Sequence, residues 1–251
     1  MEEKIKNVYK IGGRRSVLEA LISEEQIDKI FLLNTLRGDF EIKIREICSE
    51  KGIPISKVPK NKLDRLIKGG HQGVVASLSP TRFYDLKQII PFTFEQGLIP
   101  VILTLAGITD VRNFGSIVRS AEIFGVHAIL VPQKNHAPLN EVAVKTSAGA
   151  LFHMPVCKAH NLSHSLEYLK ESGCRILGAS EKASRTIFEM DFTGPVGIVM
   201  GSEGSGFAKS VTEGFDGDFR IPQIGKTGSL NVSVAAGIVL FEIARQRMVH
   251  A

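Results

Sequence analysis

Val101-Ile102-Leu103-Thr104-Leu105, followed after a short loop by Asp110-Val111-Arg112-Asn113-Phe114-Gly115-Ser116-Ile117-Val118-Arg119-Ser120-Ala121, reads as an apolar strand running into a helix. A strand that is apolar at consecutive positions has no wet face, so it belongs inside a sheet covered on both sides. Further apolar runs stand at Ala128 to Val131, Arg175 to Ala179 and Gly197 to Met200. With helical stretches between them, they predict an α/β fold with a mostly parallel sheet. A last helix, from about Asn231 to Met248, carries Val232, Ala235, Ala236, Val239, Leu240 and Ile243 on one stripe. Val234, Ile238 and Phe241 extend its apolar surface round the other side, which predicts that its first part is buried.

Ahead of this region the elements are shorter. A helical pattern at Val17, Leu18, Leu21 and Ile22 precedes a strand at Ile30 to Leu33 and a helix near Phe40 to Cys48. Ile53-Pro54-Ile55, a helix at Leu63 to Ile67 and the strand Val74 to Leu78 complete a small α/β unit. Pro80 and Pro91 bracket a weak helical piece, so residues 81–98 read as a linker between a domain at 1–80 and a larger one at 99–251.

The chain has 251 residues, 43% of them hydrophobic and 23% charged, enough to bury a core in one large domain or two small ones. It lacks a run of about 18 apolar residues, and Met1-Glu2-Glu3-Lys4-Ile5-Lys6 has no apolar signal stretch, so a cytoplasmic protein without membrane association is expected. Three cysteines, Cys48, Cys157 and Cys174, have no CxxC spacing, which points to buried apolar thiols rather than a disulfide framework or a metal site. The net charge of +5 suits a nucleic-acid partner, and the excess lies at the front. Residues 1–98 hold 17 Lys+Arg against 13 Asp+Glu, whereas residues 99–251 hold 14 against 13. Arg14 and Arg15, beside Gly12-Gly13, are candidate phosphate contacts, although a solvated helix start explains them as well.

Three clusters carry the chemistry. In the first, Arg119 follows Gly115 and Ser116 by one helical turn, and their small side chains leave room beside its guanidinium for a ribose or phosphate. The second, Met200-Gly201-Ser202-Glu203-Gly204-Ser205-Gly206, ends a strand with glycines that permit a tight turn and close approach of a ligand. The third, Ile221-Pro222-Gln223-Ile224-Gly225-Lys226-Thr227-Gly228-Ser229-Leu230-Asn231-Val232-Ser233, runs into the last helix, which Ser229 or Asn231 can cap. Gly225-Lys226-Thr227 is no phosphate-binding P-loop, because Arg220 stands where that motif needs glycine.

In this order and spacing the clusters resemble motifs 1, 2 and 3 of the SpoU (TrmH) family of RNA ribose 2′-O-methyltransferases over about Pro100 to Arg247. Gly12-Gly13-Arg14-Arg15-Ser16-Val17-Leu18 and His71-Gln72-Gly73-Val74-Val75-Ala76 are similar to the family's substrate-binding domain. The resemblance implies an α/β-knot methyltransferase domain, S-adenosylmethionine as cofactor, a homodimer, and RNA rather than DNA as substrate, with a guanosine of 23S ribosomal RNA indicated by the two-domain layout. It implies catalytic or substrate-orienting roles for Asn113, Arg119, Glu203, Ser229 and Asn231, and cofactor contacts near Gly201, Ile221, Leu230 and Ala179. Val111 replaces a proline common in motif 1, and Gln223 replaces the usual methionine of motif 3. Three other readings stay open: tRNA rather than rRNA as substrate, an RNA-binding or ribosome-assembly module of the same fold without turnover, and a dinucleotide-dependent oxidoreductase, the last disfavoured by the lack of GxGxxG after an early strand.

Overall fold

The computed structural model describes residues 10–22, 27–78, 83–201 and 207–249. The chain divides into two compact units, residues 1–82 with 138–141, and residues 83–137 with 142–251.

The first unit runs β1 (Lys10–Gly12), α1 (Arg14–Ile22), β2 (Ile27–Leu33), α2 (Asp39–Glu50), β3 (Ile55–Val58), α3 (Lys60–Leu66) and β4 (Val74–Leu78). Its sheet has the order β1-β4-β2-β3, with β2 and β3 parallel and β4 antiparallel to both neighbours. Alternation along β2 sends Ile30 and Leu32 to one face, where Val17 and Leu21 of α1 and Ile44 and Cys48 of α2 form the main core with them. Gly13, at φ +98°, makes the sharp entry from β1 into α1 that a side chain would strain.

The second unit continues with β5 (Phe83–Tyr84), α4 (Leu86–Glu95), β6 (Val101–Ala106), α5 (Val111–Ile123), β7 (Ala128–Pro132), α6 (Glu141–Thr146), β8 (Val156–Ala159) and α7 (Leu162–Glu171). Then come β9 (Arg175–Ala179), β10 (Val196–Gly201), α8 (Lys209–Thr212), β11 (Gly217–Phe219) and α9 (Val232–Val249). The seven strands, in the order β11-β9-β10-β6-β7-β8-β5, are all parallel. Ile102, Leu130, Ile176 and Val199 pack on one face with Leu86 and Ile90 of α4, Leu166 and Leu169 of α7, and Val211 of α8. The other face falls to α5 and α9, which pack on each other. They bury Phe114, Ile117 and Val118 from α5, and Val239, Leu240 and Ile243 from α9.

The stretch read as a linker is therefore partly structural. Phe83 and Tyr84 add the edge strand β5, and α4, capped by Asp85, buries Leu86 and Ile90 although Pro91 lies inside it. A two-residue strand and a proline-broken apolar pattern are too weak to be read from sequence. The first part of α9 also differs from expectation: Val232 and Ala236 are buried, but Val234 is 50% and Phe241 56% exposed. All three cysteines are buried, and burial pushes the Cys48 and Cys174 thiols up to about 11 and Cys157 to about 12, so they are inert thiols at neutral pH.

Candidate active site

The sheet order dictates where a ligand fits. From β6 the chain leaves through α5 to β7 on one side, and from β10 through α8 to β11 on the other. Ligands in open α/β sheets bind at the carboxyl ends of strands where such outgoing connections diverge, which here is the junction of β6 and β10. Ala106 and Gly201 end these strands in register, and Ala179 ends β9 opposite Met200. Phe219 ends β11 opposite Ala179, and Ile221 lies two residues on. Topology thus gathers Gly201, Ala179 and Ile221 along one edge. All three, with Leu230, are half-buried.

Two helix starts meet at this edge. Asp110 caps α5, its Oδ1 accepting from the N–H groups of Arg112 (2.9 Å) and Asn113 (2.8 Å). Asn231 caps α9 in the same manner, its Oδ1 accepting from Ser233 N–H (2.9 Å) and the Ser233 hydroxyl (2.6 Å). Because the cap needs an oxygen there, the other end of the amide must be Nδ2, and it donates to Asn113 Oδ1 at 3.1 Å. Two residues 118 positions apart are joined directly. With its oxygen engaged, Asn113 is left with Nδ2, which has no partner among the described residues. Substitution of Asp110 would free the N-terminus of α5 and with it the aim of Asn113, a role the sequence reading did not give it.

Arg119 lies six residues beyond Asn113 on α5, exposed and without an ion pair or hydrogen bond among the described residues. No bond ties it to Asn113 or Asn231. The room expected beside it at Gly115 has another use: a Cβ there would stand 1.8 Å from Thr146 Oγ1 and 2.9 Å from Ala143 O, so this glycine admits α6 against α5. Ser229 is exposed and does not cap α9. Glu203 lies outside the described residues. Residues 221–230 make no backbone hydrogen bond to one another or to any other described residue. Among the described residues their donors and acceptors have no backbone partner, the kind of surface that backbone recognition of a nucleoside requires. Arg220, just ahead of them, donates to Ala183 O at 3.0 Å and pairs with the 185–187 segment, which anchors the loop's start.

In the first unit, Arg14 is held in place: its N–H donates to Gln72 Oε1 (3.0 Å), its Nε to Gln72 O (3.3 Å), and its guanidinium lies 5.1 Å from the Phe40 ring centre. Arg15 is exposed and pairs with Glu19 at 3.1 Å.

Residues 100–241 match the model of the SpoU rRNA Methylase family, and residues 10–84 match the RNA 2'-O ribose methyltransferase substrate binding domain. A provisionally named TrmH family tRNA/rRNA methyltransferase of Staphylococcus saprophyticus is 36% identical over 237 residues, covering 94% of this chain and 95% of the relative. An uncharacterized tRNA/rRNA methyltransferase of Mycolicibacterium vanbaalenii is 37% identical, covering 94% of this chain and 76% of its own. Among solved structures, the SpoU methyltransferase AviRb from Streptomyces viridochromogenes in complex with AdoMet shares the fold at a TM-score of 0.60 and 22% identity, covering 96% and 90% of the two chains. Motif order, strand ends and family models agree, and the chain belongs to the SpoU rRNA methylase family.

Proposed function

We propose that the protein transfers the methyl group of S-adenosylmethionine to the ribose 2′-oxygen of a guanosine in 23S ribosomal RNA, acting in the cytoplasm as a homodimer. Membership of the SpoU/TrmH family makes it an RNA methyltransferase; the nucleotide, the RNA, the residue roles and the assembly are the proposal. The observation that carries it is the Asn231–Asn113 bond at the diverging strand ends, which joins the first and third motifs into one donor surface.

The cofactor fits the loop backbone at residues 221–230 and near Gly201, whose missing side chain permits close approach, with Ala179, Ile221 and Leu230 covering its apolar faces. When bound, S-adenosylmethionine supplies an electrophilic methyl group on a cationic sulfur that leaves as a neutral thioether. Asn113 Nδ2 and Arg119 then have the task of orientation. A guanidinium carries five donors in a planar fork and no acceptor, so Arg119 holds the target phosphate and ribose and aims the 2′-oxygen, while its proton passes to the phosphate oxygen held alongside. Glu203 and Ser229 match the family's positions for orienting substrate. Arg14 and Arg15 contribute phosphate contacts from the first unit, Arg14 already held by Gln72.

The homodimer reading is supported by the apolar strip left on α5 and α9. Ile123 is 61% exposed, Val234 50% and Phe241 56%, and Phe124 stands edge-on to Phe241 with ring centres 6.0 Å apart. A second copy of this surface covers such a strip by two-fold pairing. Light scattering should find a dimer at micromolar concentration, and a monomer there removes it.

Incubation with methyl-labelled S-adenosylmethionine and unmodified 23S rRNA or tRNA, followed by mapping of 2′-O-methyl positions, tests the whole. Label at one guanosine of 23S rRNA is expected. Label on tRNA alone moves the substrate, and no label on any RNA supports the module without turnover.

A further inference from the structure

The second face of the four-stranded sheet has a composition that packing does not explain. Lys29 and Phe31 alternate with the core residues Ile30 and Leu32, and so point away from the main core. Register places Lys10, Ser77 and Lys29 in one row across β1, β4 and β2, and Val75, Phe31 and Ser56 in the next. Helix α3 covers only part of this face: Leu63 is buried with Val75 and Val58, and Phe31 is packed against that cluster while keeping part of its ring in water. Over the ring lie two ammonium groups, Lys29 Nζ at 5.5 Å from its centre and Lys62 Nζ at 5.9 Å.

Two like charges over one ring repel each other, and neither Lys29 nor Lys62 has a carboxylate partner among the described residues. Asp64, the carboxylate of α3, is turned to His71 at 3.0 Å. Protection of a sheet edge does not account for the lysines, since β2 is an interior strand. What the pattern complements is a flat, aromatic ligand flanked by negative charge.

We infer that this face binds single-stranded RNA, with an unpaired base stacked on Phe31 and its flanking phosphates met by Lys10, Lys29 and Lys62. Cation–π contact at an exposed ring is weaker than stacking of a base, so a base displaces the two ammonium groups from the ring toward the phosphates beside it. A duplex hides the faces of its bases and gains nothing from the ring. The inference takes only the class of ligand from the methyltransferase reading. It assigns the substrate unit a second contact surface, besides the Arg14–Arg15 turn, that distinguishes unpaired from paired RNA.

The test uses the full chain, with labelled decaadenylate and a ten-base-pair RNA duplex as probes in anisotropy titrations. Phe31→Leu, which retains an apolar group against Leu63, should weaken decaadenylate binding about tenfold with duplex binding unchanged, and Phe31→Tyr should restore it. Lys29→Gln with Lys62→Gln should lower the logarithmic salt slope for decaadenylate by about 1.4, the single-strand increment for two phosphate contacts. Circular dichroism and S-adenosylmethionine calorimetry report that each variant is folded. A wild-type chain that does not bind decaadenylate, a folded Phe31→Leu within twofold of wild type, or an equal loss on duplex overturns the inference. Methyl transfer is measured separately, so a Phe31 effect in a chain that transfers no methyl leaves this surface standing and removes only the catalytic reading.

Discussion

The two ends of the seven-stranded sheet are built on opposite principles. At the amino ends a network of side chains ties down strand and loop backbone. Arg247, in the last turn of α9, donates from Nη1 to Ile99 O (2.7 Å), from Nη2 to Gly194 O (2.7 Å) and Pro100 O (3.4 Å), and from Nε to Phe192 O (3.0 Å). Val101 N–H, at the start of β6, donates to His127 Nδ1 at 3.1 Å. Glu242, buried on α9, accepts from Arg245 and Gln246, and Gln246 in turn bonds Met190 O and Phe192 N–H. At the carboxyl ends the strands give way to loop backbone, Asn113 Nδ2 and Arg119, none of which is paired among the described residues. The single helix α9 serves both ends, Asn231 at its start and Arg247 near its finish. Saturated hydrogen bonding fixes the frame at one end so that uncommitted donors at the other are held still.

The sharpest way to break this contrast is to change the open end and find that stability suffers instead of chemistry. Arg119→Lys keeps the charge and loses the fork, so methyl transfer should fall at least about a hundredfold, the scale on which misplacing a reacting group acts. The melting temperature and S-adenosylmethionine affinity should be unchanged, because Arg119 has no partner within the described fold. Near-normal turnover in a radiolabel assay would remove Arg119 from the site.

The reverse experiment belongs at the tied end. Arg247→Met keeps most of the aliphatic stem but withdraws its donations from four backbone carbonyls, and denaturant unfolding should show a loss of roughly 2 kcal/mol. Burial already holds the Arg247 guanidinium below its ordinary range, a sign that it is partly desolvated for this task. Turnover per folded molecule should stay near that of the unchanged protein. If it falls as Arg119→Lys does, the two ends are not separable.

What was legible in the sequence follows the same division. Val101 to Leu105 and Gly197 to Met200 announce themselves because both faces are buried, and the three glycine- and asparagine-bearing clusters stand out as residue types where strands end. Strand β8 did not, since Lys158 interrupts Val156-Cys157-Lys158-Ala159, and β11 is only Gly217-Asp218-Phe219. The Asn113–Asn231 bond has no signature, because tertiary pairing across 118 residues leaves no period to detect. Gly115 was read as space for a ligand, when Thr146 occupies it. Nothing in the local sequence says that four carbonyls converge on Arg247.

Acid provides a smaller test of the tied end. Burial lowers the pKa of His127 below its ordinary 6.5, and its Nδ1 must stay unprotonated to accept from Val101 N–H. The unfolded chain takes up its proton first as pH falls, so stability is fully present above about 6.5 and is lost between there and the lowered value. The limiting slope is ~1.4 kcal/mol per pH unit for one proton. His127→Asn, which offers an acceptor oxygen near the same place without titrating, should flatten that part of a stability-against-pH curve. His136, lowered mainly by burial as well, should then account for the remaining slope. An unchanged curve would show that His127 does not couple folding to protons.

The smallest expected effect lies between the two ends. Thr104, in β6 between Val199 and Leu130, is fully buried, and its hydroxyl has no hydrogen-bond partner among the described residues. An unsatisfied buried hydroxyl costs ~1–3 kcal/mol, and valine has nearly the same shape without the oxygen. Thr104→Val should therefore stabilise the protein by about 1 kcal/mol at its denaturation midpoint. Its position decides what the result means, for Thr104 is two residues before Ala106 at the carboxyl end of β6. A stabilised variant with unaltered S-adenosylmethionine affinity places the boundary of the open end after Thr104. A stabilised variant that binds the cofactor less well would show the hydroxyl to be one more donor kept uncommitted for a ligand, and would move that boundary one layer into the sheet. Loss of stability would mean that the hydroxyl is satisfied in solution and that the frame, at this point too, is saturated.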